Sequence, residues 1–209
     1  MSETKTKILG QALLAFNTQG VEAISLREIA RELGISHGNL RYHYPGKDQI
    51  VKALFEQCLV ESDQAIEDLL TESVTLEKLF AVSFSQAEKF WKYRFLMQDM
   101  HGICRQFPAV DRGMREMFNR RSHEMEQLLG MLRHQKLLKP FPFDGFFEMM
   151  MDNYMTVIDF GISFIELKYP SASEQEKIHL YHRMWFVPLI PLLTEEGTAL
   201  LSPYLGGAT

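Results

Sequence analysis

One short stretch, residues 25–47 (SLREIARELGISHGNLRYHYPGK), constrains the fold of this chain more than any other. Ser25 and Glu28 form the S-x-x-E pattern of a capping box, in which each side chain satisfies a backbone N–H of the other residue. Gly34 stands where this helix must end, because a residue free to adopt positive φ closes such a turn without strain. Ser36 then caps a second short helix, which a Pro-Gly pair ends. The pattern predicts a helix-turn-helix.

The second helix has a single apolar side chain to bury, Leu40, and polar or small residues on its other faces. At about 100° per residue, Gly38 and Tyr42 point away from Leu40. Asn39 and Arg41 lie beside them. Hydrogen-bonding and thin residues of this kind suit a nucleic-acid groove. A capped helical hairpin inside an all-α core is the alternative, but it does not account for the polar outer face.

The same stretch resembles the DNA-binding signature of the TetR family of bacterial one-component transcriptional regulators. The resemblance covers roughly the first quarter of the chain. The matching residues are Ile29, Ala30, Leu33, Gly34, Ile35, Ser36, Gly38, Leu40, Tyr42, His43, Tyr44 and Lys47. Family members usually carry an aromatic residue directly after the leucine, where this chain has Arg41, so a guanidinium contact is expected there instead.

The resemblance also implies roles for individual residues toward double-stranded DNA. Arg27 and His37 match positions that often reach base edges. Positions that usually touch the DNA backbone are matched by Ser25, Tyr42, His43 and Lys47. With the groove-facing Gly38 and Asn39 and the phosphate-binding Arg41, these residues make up the predicted DNA-binding set.

The charge distribution agrees with a chain that binds DNA at one end. Residues 1–52 carry a net charge of +2 and the remainder carries −7, although the whole chain is acidic at −5. A mildly basic head on an acidic body can bind DNA with the head while the body repels it. We therefore expect a helix-turn-helix DNA-binding domain over residues 1–46 and a helical ligand-binding and dimerisation domain over residues 47–209.

The fold class predicted from hydrophobic periodicity is all-α, with a three-helix head and a larger body of about six further helices. No strand-like alternation bounded by turns occurs in the sequence. The helices are expected at 3–19, at the two arms of the helix-turn-helix including His37–His43, and at 47–70, 75–93, 111–138, 144–169 and 174–187. Residues 94–105 continue apolar, and 192–205 form a short cap on the body.

The helix expected over residues 144–169 is the most informative part of the body. Its polar residues form one narrow stripe, and nearly all of its other residues are apolar. Such a helix must be buried on more than one side. In TetR-like proteins the last two long helices pair with their copies in a four-helix dimer interface. A homodimer through the C-terminal body on a palindromic operator is also expected physically, because one short recognition helix buries too little surface for specific affinity.

The resemblance further implies an effector cavity between the middle helices of the body. The many Met and Phe residues there favour a small apolar or aromatic effector, since Met packs adaptably at binding surfaces; for any single residue, simple core filling is the alternative. The candidate lining residues are Trp91, Phe95, Met100, His101, Phe118, Met150, Asn153, Tyr154 and Ile158. His101 and Asn153 are the polar candidates for orienting a ligand.

Other classes of function have weaker sequence support. Two cysteines, Cys58 and Cys104, provide no disulfide framework, and no apolar run reaches the roughly 20 residues that span a bilayer, so a cytoplasmic protein without a membrane partner is expected. His101 and Cys104 have a metal-ligand spacing without a second ligand pair. We therefore expect no metal, no cofactor and no enzymatic activity, since no catalytic motif is present.

The leading hypothesis is a homodimeric repressor that a ligand releases from its operator. An activator, or a regulator controlled by a protein partner, is the second. The third is a helical small-molecule binding protein that does not read DNA, against which Arg41 and the intact helix caps argue.

Overall fold

The computed structural model describes residues 2–71 and 74–205, and the regular structure in this part of the chain is helical. The predicted all-α fold class is confirmed. The α-helices are α1 Glu3–Gln19, α2 Leu26–Glu32, α3 His37–His43, α4 Lys47–Thr71, α5 Leu76–Lys92, α6 Arg94–Gln98, α7 Met100–Gln106, α8 Pro108–His134, α9 Phe146–Lys168, α10 Glu174–Phe186 and α11 Glu195–Leu205. A 3-10 helix, Val187–Leu192, joins α10 to α11. None of these helices is long and apolar enough to cross a membrane.

Local side-chain contacts fix the helix-turn-helix as the sequence predicts. Ser25 Oγ accepts a hydrogen bond from the Glu28 N–H at 3.3 Å, and the Ser25 N–H donates to Glu28 Oε2 at 2.7 Å. Gly34 ends the turn with a φ of 65°, in the left-handed region that favours glycine. Ser36 Oγ accepts from the Asn39 N–H at 3.1 Å and caps α3. The predicted limits of α3 are confirmed.

The chain divides into two compact units. Unit 1 comprises Met1–Glu61 and Lys92–Arg115, and unit 2 comprises Ser62–Trp91 and Glu116–Thr209. This division follows packing, whereas the boundary predicted after residue 46 concerns the division of roles and stays a prediction.

Unit 1 packs α6 into the core of the N-terminal helices. The ring of Phe16 on α1 lies 5.4 Å from the ring of Phe95 on α6. Asn17 fixes the same contact, because its Nδ2 donates to the Lys92 carbonyl at 2.8 Å and its Oδ1 accepts from the Phe95 N–H at 3.0 Å. Residues distant in sequence therefore complete the small core of the head.

Unit 2 is built around the close pairing of α9 with α10. A Cβ on Gly161 of α9 would lie 2.8 Å from the ring of Tyr181 on α10, so glycine lets the two helices approach. The Tyr181 hydroxyl donates to the Ile158 carbonyl at 2.7 Å. The rest of the core consists largely of buried leucines from α5, α8 and the segments around the 3-10 helix.

Several predicted helix limits in the body are wrong. The helix expected over 111–138 runs over Pro108–His134, because Pro108 begins a helix rather than interrupting one. It ends before Lys136, which has a φ of 63°. The body contains eight α-helices among its described residues instead of about six, partly because Asp99 separates α6 from α7. Thr75 caps the start of α5, since its Oγ1 accepts from the Lys78 N–H at 3.2 Å.

The arginines of α8 do not all lie on a solvated face of the helix. The Arg121 side chain is only 11% exposed and pairs with Asp63 and Glu124. It also donates to Ser62 Oγ at 3.2 Å, and Ser62 in turn bonds Gln86. Because a buried guanidinium must have partners, this network ties α4 to α5 and α8 within unit 2.

Candidate nucleic-acid interface and effector cavity

Helix α3 buries Leu40 completely and turns its polar residues outward. Tyr42 is 84% exposed, an unusual value for a large aromatic side chain. Gly38, Asn39 and Arg41 are exposed as well. The residues on the predicted groove-facing surface of α3 are therefore not needed for packing within unit 1.

The backbone at Gly38 does not require glycine. Among the described residues, a Cβ built on Gly38 would have Ser36 Oγ, 3.9 Å away, as its single neighbour inside 4 Å. An alanine would fit here and would favour the helix by up to about 1 kcal/mol. Gly38 therefore lowers the stability of the helix although the fold does not require a glycine here. Its missing side chain leaves the α3 backbone accessible to a partner outside the chain.

The basic and aromatic side chains near the end of α3 are held by local contacts. Arg41 Nε donates to the Pro45 carbonyl at 3.3 Å. The rings of Tyr42 and His43 meet edge to face at 5.2 Å. His37 lies half-buried in the first turn of α3, and Arg27 is exposed in the first turn of α2. These five side chains thus belong to the two helices of one rigid hairpin.

Lys47 is directed to the protein's own backbone. Its Nζ donates to the Val21 carbonyl at 2.6 Å and, more weakly, to the Glu22 carbonyl at 3.4 Å. Burial lowers the pKa of Lys47, while the carboxylates of Glu22 and Glu28 oppose that shift. Lys47 therefore ties the start of α4 to the loop before α2, and its contact with phosphate stays a prediction. Ser25 is similarly engaged as a helix cap.

The outer face of α9 carries large apolar side chains with no cover in the single chain. Met149, Phe160, Phe164 and Leu167 are all exposed. At about 100° per residue they fall on one side of the helix. This stripe lies opposite the buried residues of α9, in the arrangement predicted for a helix with two apolar faces.

Helices α5, α8, α9 and α10 enclose an apolar cavity of about 60 Å³ in unit 2. Two of the nine predicted effector residues line it, Met150 and Tyr154. Burial raises the pKa of Tyr154 to about 12, so its hydroxyl stays protonated. Met125 and Trp185 also line the cavity, and the Trp185 indole nitrogen is buried without a hydrogen-bond partner in the described chain.

The other predicted effector residues are spread more widely. Trp91 and Ile158 both contact Tyr181. The Trp91 ring lies 6.4 Å from the Tyr181 ring, and the Tyr181 hydroxyl donates a hydrogen bond to the Ile158 carbonyl. Phe118 is half-buried on α8 and Asn153 is exposed on α9. The remaining three, Phe95, Met100 and His101, belong to unit 1.

Sequence reasoning missed Trp185, Met125 and Ser83 as cavity residues. In the sequence Trp185 resembles the other apolar residues of α10. The signal that distinguishes it is its indole N–H, which the aliphatic residues lack. Ser83 stands between Val82 and Phe84 in α5, and a polar residue between apolar neighbours is the kind of signal that marks a ligand-facing position.

Two family models together match almost the whole chain. The model described as "Bacterial regulatory proteins, tetR family" matches residues 8–54. The model described as "TetR: Bacterial transcriptional repressor" matches residues 55–201.

The chain belongs to the TetR family. It is a DNA-binding transcriptional regulator, and the resemblance drawn from the helix-turn-helix is confirmed. TetR-family proteins are transcription factors rather than enzymes.

Curated relatives of this TetR-family chain match less than half of its length. The transcriptional regulator SrpR of Pseudomonas putida is 31% identical over 93 residues, which is 42% of this chain and 44% of SrpR. The regulator TtgW, from a strain of the same species, is also 31% identical over 93 residues, covering 42% of this chain and 69% of TtgW. The chain thus spans less than half the length of SrpR in this match.

Several solved structures share the fold of this chain over most of its length. A regulator from Marinobacter aquaeolei VT8 is 26% identical with a TM-score of 0.85, and the match covers 97% of this chain and 99% of that one. The SmeT–triclosan complex has a TM-score of 0.66 at 17% identity, with 93% of each chain covered. A regulator from Saccharomonospora viridis in complex with choline has a TM-score of 0.70 at 18% identity, covering 93% of this chain and all of that one.

Proposed function

We propose that this TetR-family regulator is a homodimeric repressor that binds a palindromic operator and is released from it by a small apolar or aromatic ligand. The observation that carries the proposal is the exposed apolar stripe of α9, Met149, Phe160, Phe164 and Leu167. Exposed large apolar side chains grouped on one side of a helix mark an interaction site. A second copy of the same helix is the partner with matching chemistry, since two-fold interfaces are self-complementary.

Each copy contributes one α3 to the operator. Arg41, Tyr42 and His43 position the head on phosphates, and the exposed Gly38 lets the α3 backbone approach the groove floor. His37, Asn39 and Arg27 read base edges. Ser25 and Lys47 act at the DNA backbone through the loops that they hold in place, since both are engaged within the head.

The ligand enters the cavity next to Met150 and Tyr154. At about 60 Å³ the cavity is far smaller than the roughly 300–1,000 Å³ of ligand sites in general. Ligand binding therefore requires the flexible side chains of Met125 and Met150 to move aside. A ligand that favours this opened body over the closed one shifts the population of dimers away from the form that binds DNA.

The spacing of the two half-sites tests the dimer on DNA. The operator is first selected from random duplexes with the purified protein, and its affinity is then measured by fluorescence anisotropy. Two recognition helices of a dimer bind half-sites about 34 Å apart. Inserting five base pairs, about half a helical turn, between the half-sites should reduce the affinity to that of a single half-site. Equal affinity for both spacings would overturn the proposal.

The effector cavity is tested with triclosan as an aromatic probe. Met150→Trp fills the cavity, so it should abolish triclosan binding in calorimetry and leave operator binding intact. Met131→Trp is the matched control, because Met131 is exposed on α8. This variant should bind triclosan like the unmodified chain. Triclosan binding that survives Met150→Trp would place the ligand elsewhere, and operator affinity unaffected by bound triclosan would refute release by this ligand class.

A further inference from the structure

A second cleft in unit 2 lies beyond the proposed effector cavity. It measures about 540 Å³ and is formed by α5, α10, the 3-10 helix and α11. Its walls carry the rings of Phe80, Phe84 and Phe186, and its polar lining residues are His179, His182, Arg183 and Tyr204. The volume falls within the range of small-molecule sites. The aromatic rings suit a planar ligand.

The hydrogen bonds of Ser83 determine which nitrogen of His182 carries the proton. Ser83 Oγ lies 2.8 Å from the Phe80 carbonyl oxygen and 2.7 Å from His182 Nε2. The carbonyl can only accept, so the single hydroxyl hydrogen of Ser83 goes to Phe80. Ser83 Oγ therefore accepts from His182 Nε2–H. Burial, with a smaller effect of His179, lowers the pKa of His182 to about 4, so the ring is neutral at pH 7.

A neutral His182 with its proton on Nε2 has a lone pair on Nδ1. His182 is 2% exposed and lines the cleft. Among the described residues the ring makes its hydrogen bond through Nε2, so Nδ1 remains an acceptor that a ligand hydroxyl can satisfy. Apolar walls with one such acceptor discriminate strongly, because a ligand that lacks the donor leaves the nitrogen unpaired.

Arg183 adds a positive charge at the same cleft. It is exposed and follows His182 on α10. The guanidinium matches a carboxylate in a two-pronged geometry. His179 is held beside these two residues, because its Nδ1–H donates to the Gln175 carbonyl at 2.8 Å and its ring packs 4.8 Å from the Phe84 ring.

We infer that this cleft is a second ligand site, specific for hydroxylated aryl carboxylates, in which His182 accepts from the ligand hydroxyl and Arg183 binds the carboxylate. The ring of the ligand lies among the phenylalanines. This site adjoins the cavity at Met150, with which it shares Phe186. The two sites take different ligands: the ligand of this cleft is anionic and that of the cavity is apolar.

The test uses 6-hydroxy-2-naphthoate as the probe, with the full chain and without DNA, by isothermal titration calorimetry. 6-Methoxy-2-naphthoate lacks the donor and should bind about ten-fold more weakly. Ser83→Ala frees the His182 proton to move to Nδ1, so this preference for the hydroxyl should shrink. A chain that binds neither compound at millimolar concentration, or prefers the methoxy compound, overturns the inference.

Arg183→Gln tests the carboxylate contact. This variant should bind 6-hydroxy-2-naphthoate about ten-fold more weakly, and its affinity for neutral 2-naphthol should be unchanged. Lys177→Gln removes the same charge from α10 outside the cleft lining and should have little effect. An equal loss in both variants would mean a general charge effect and would refute the site. If Met150→Trp abolished binding while Arg183→Gln did not, the naphthoate would occupy the effector cavity, which refutes this inference and leaves the proposed function standing.

Discussion

Helices α3 and α9 both expose large side chains, but they expose different chemistry. On α3 the most exposed large residue is Tyr42, at 84%, among Asn39, Arg41 and a glycine. On α9 the exposed residues are Phe160 at 70% and Leu167 at 84%, among other apolar side chains. The first surface keeps its hydrogen bonds with water until a polar partner replaces them, whereas the second is unfavourable in water until it is covered.

The two surfaces therefore call for different partners. A polar helix surface with one thin position fits the edges of bases and the phosphates of DNA. An apolar stripe of aromatic and aliphatic residues fits a copy of itself. The predictions below separate these roles, because a substitution on one surface should leave the function of the other intact except where the dimer is needed for DNA affinity.

The largest effect is expected for Phe160→Glu. Dimerisation would bury this charge in an apolar seam without a partner, so the variant should be monomeric in light scattering. Its operator affinity should fall at least about 100-fold, toward that of non-specific binding. Val60→Glu is the control, since Val60 is 71% exposed on α4 and outside the stripe. Dimers that persist in both Phe160→Glu and Phe164→Glu would contradict the assignment of the seam.

Gly38→Ala should change stability and DNA affinity in opposite directions. The free chain has room for the methyl group, so the midpoint of thermal unfolding should stay the same or rise. The methyl group would, however, separate α3 from the groove floor, and operator affinity should fall about ten-fold or more. Unfolding calorimetry and anisotropy on the same samples check both parts. Unchanged operator affinity would show that Gly38 does not face the groove.

Arg41→Ala and His37→Ala divide the α3 surface further. Arg41→Ala should weaken binding to all sequences alike and reduce the slope of log K against log salt by about one. His37→Ala should relax the preference at one base position by roughly 1–3 kcal/mol and leave that slope nearly unchanged. Anisotropy titrations at several salt concentrations and with single-base operator variants measure both quantities. The reverse pattern would mean that the two residues exchange roles.

The smallest effect concerns Asp159 on α9. Its Oδ1 is buried without a hydrogen-bond partner within the described residues, and burial raises the pKa of its carboxyl to about 6. The native state therefore holds a proton that the unfolded state releases between about pH 4 and 6, so stability falls as pH rises through this window. Above pH 6 the charged carboxylate destabilises the native state fully. Asp159→Asn should add roughly 1–3 kcal/mol to the unfolding free energy at pH 7.

Denaturant unfolding at pH 4 and pH 7 tests this sign. The advantage of Asp159→Asn should be small near pH 4, where the native carboxyl is almost fully protonated and the unfolded carboxyl is only about half ionised. Asp152→Asn on the exposed part of the same helix is the control and should show little dependence on pH. An advantage of equal size at both pH values would exclude a titrating Asp159 as its cause.

The sequence by itself determined the helix-turn-helix. The caps at Ser25 and Ser36 and the turn at Gly34 depend on contacts between residues three or four positions apart. Such contacts depend on residues close together in the sequence and do not require the rest of the chain. The family followed from the same residues. The two apolar faces of α9 were also readable, because helical periodicity assigns each side chain to a face.

The tertiary structure decided where the polar groups of the body find partners. Lys47 bonds a carbonyl 26 residues away, Ser83 bonds His182 across 99 residues, and Arg121 reaches Asp63 across 58. The composition of the effector cavity was equally out of reach of the sequence, which indicated Met150 and Tyr154 but not Trp185. The reason is physical, since long-range contacts depend on how whole helices pack, and the hydrophobic periodicity that predicts a helix does not specify its neighbour.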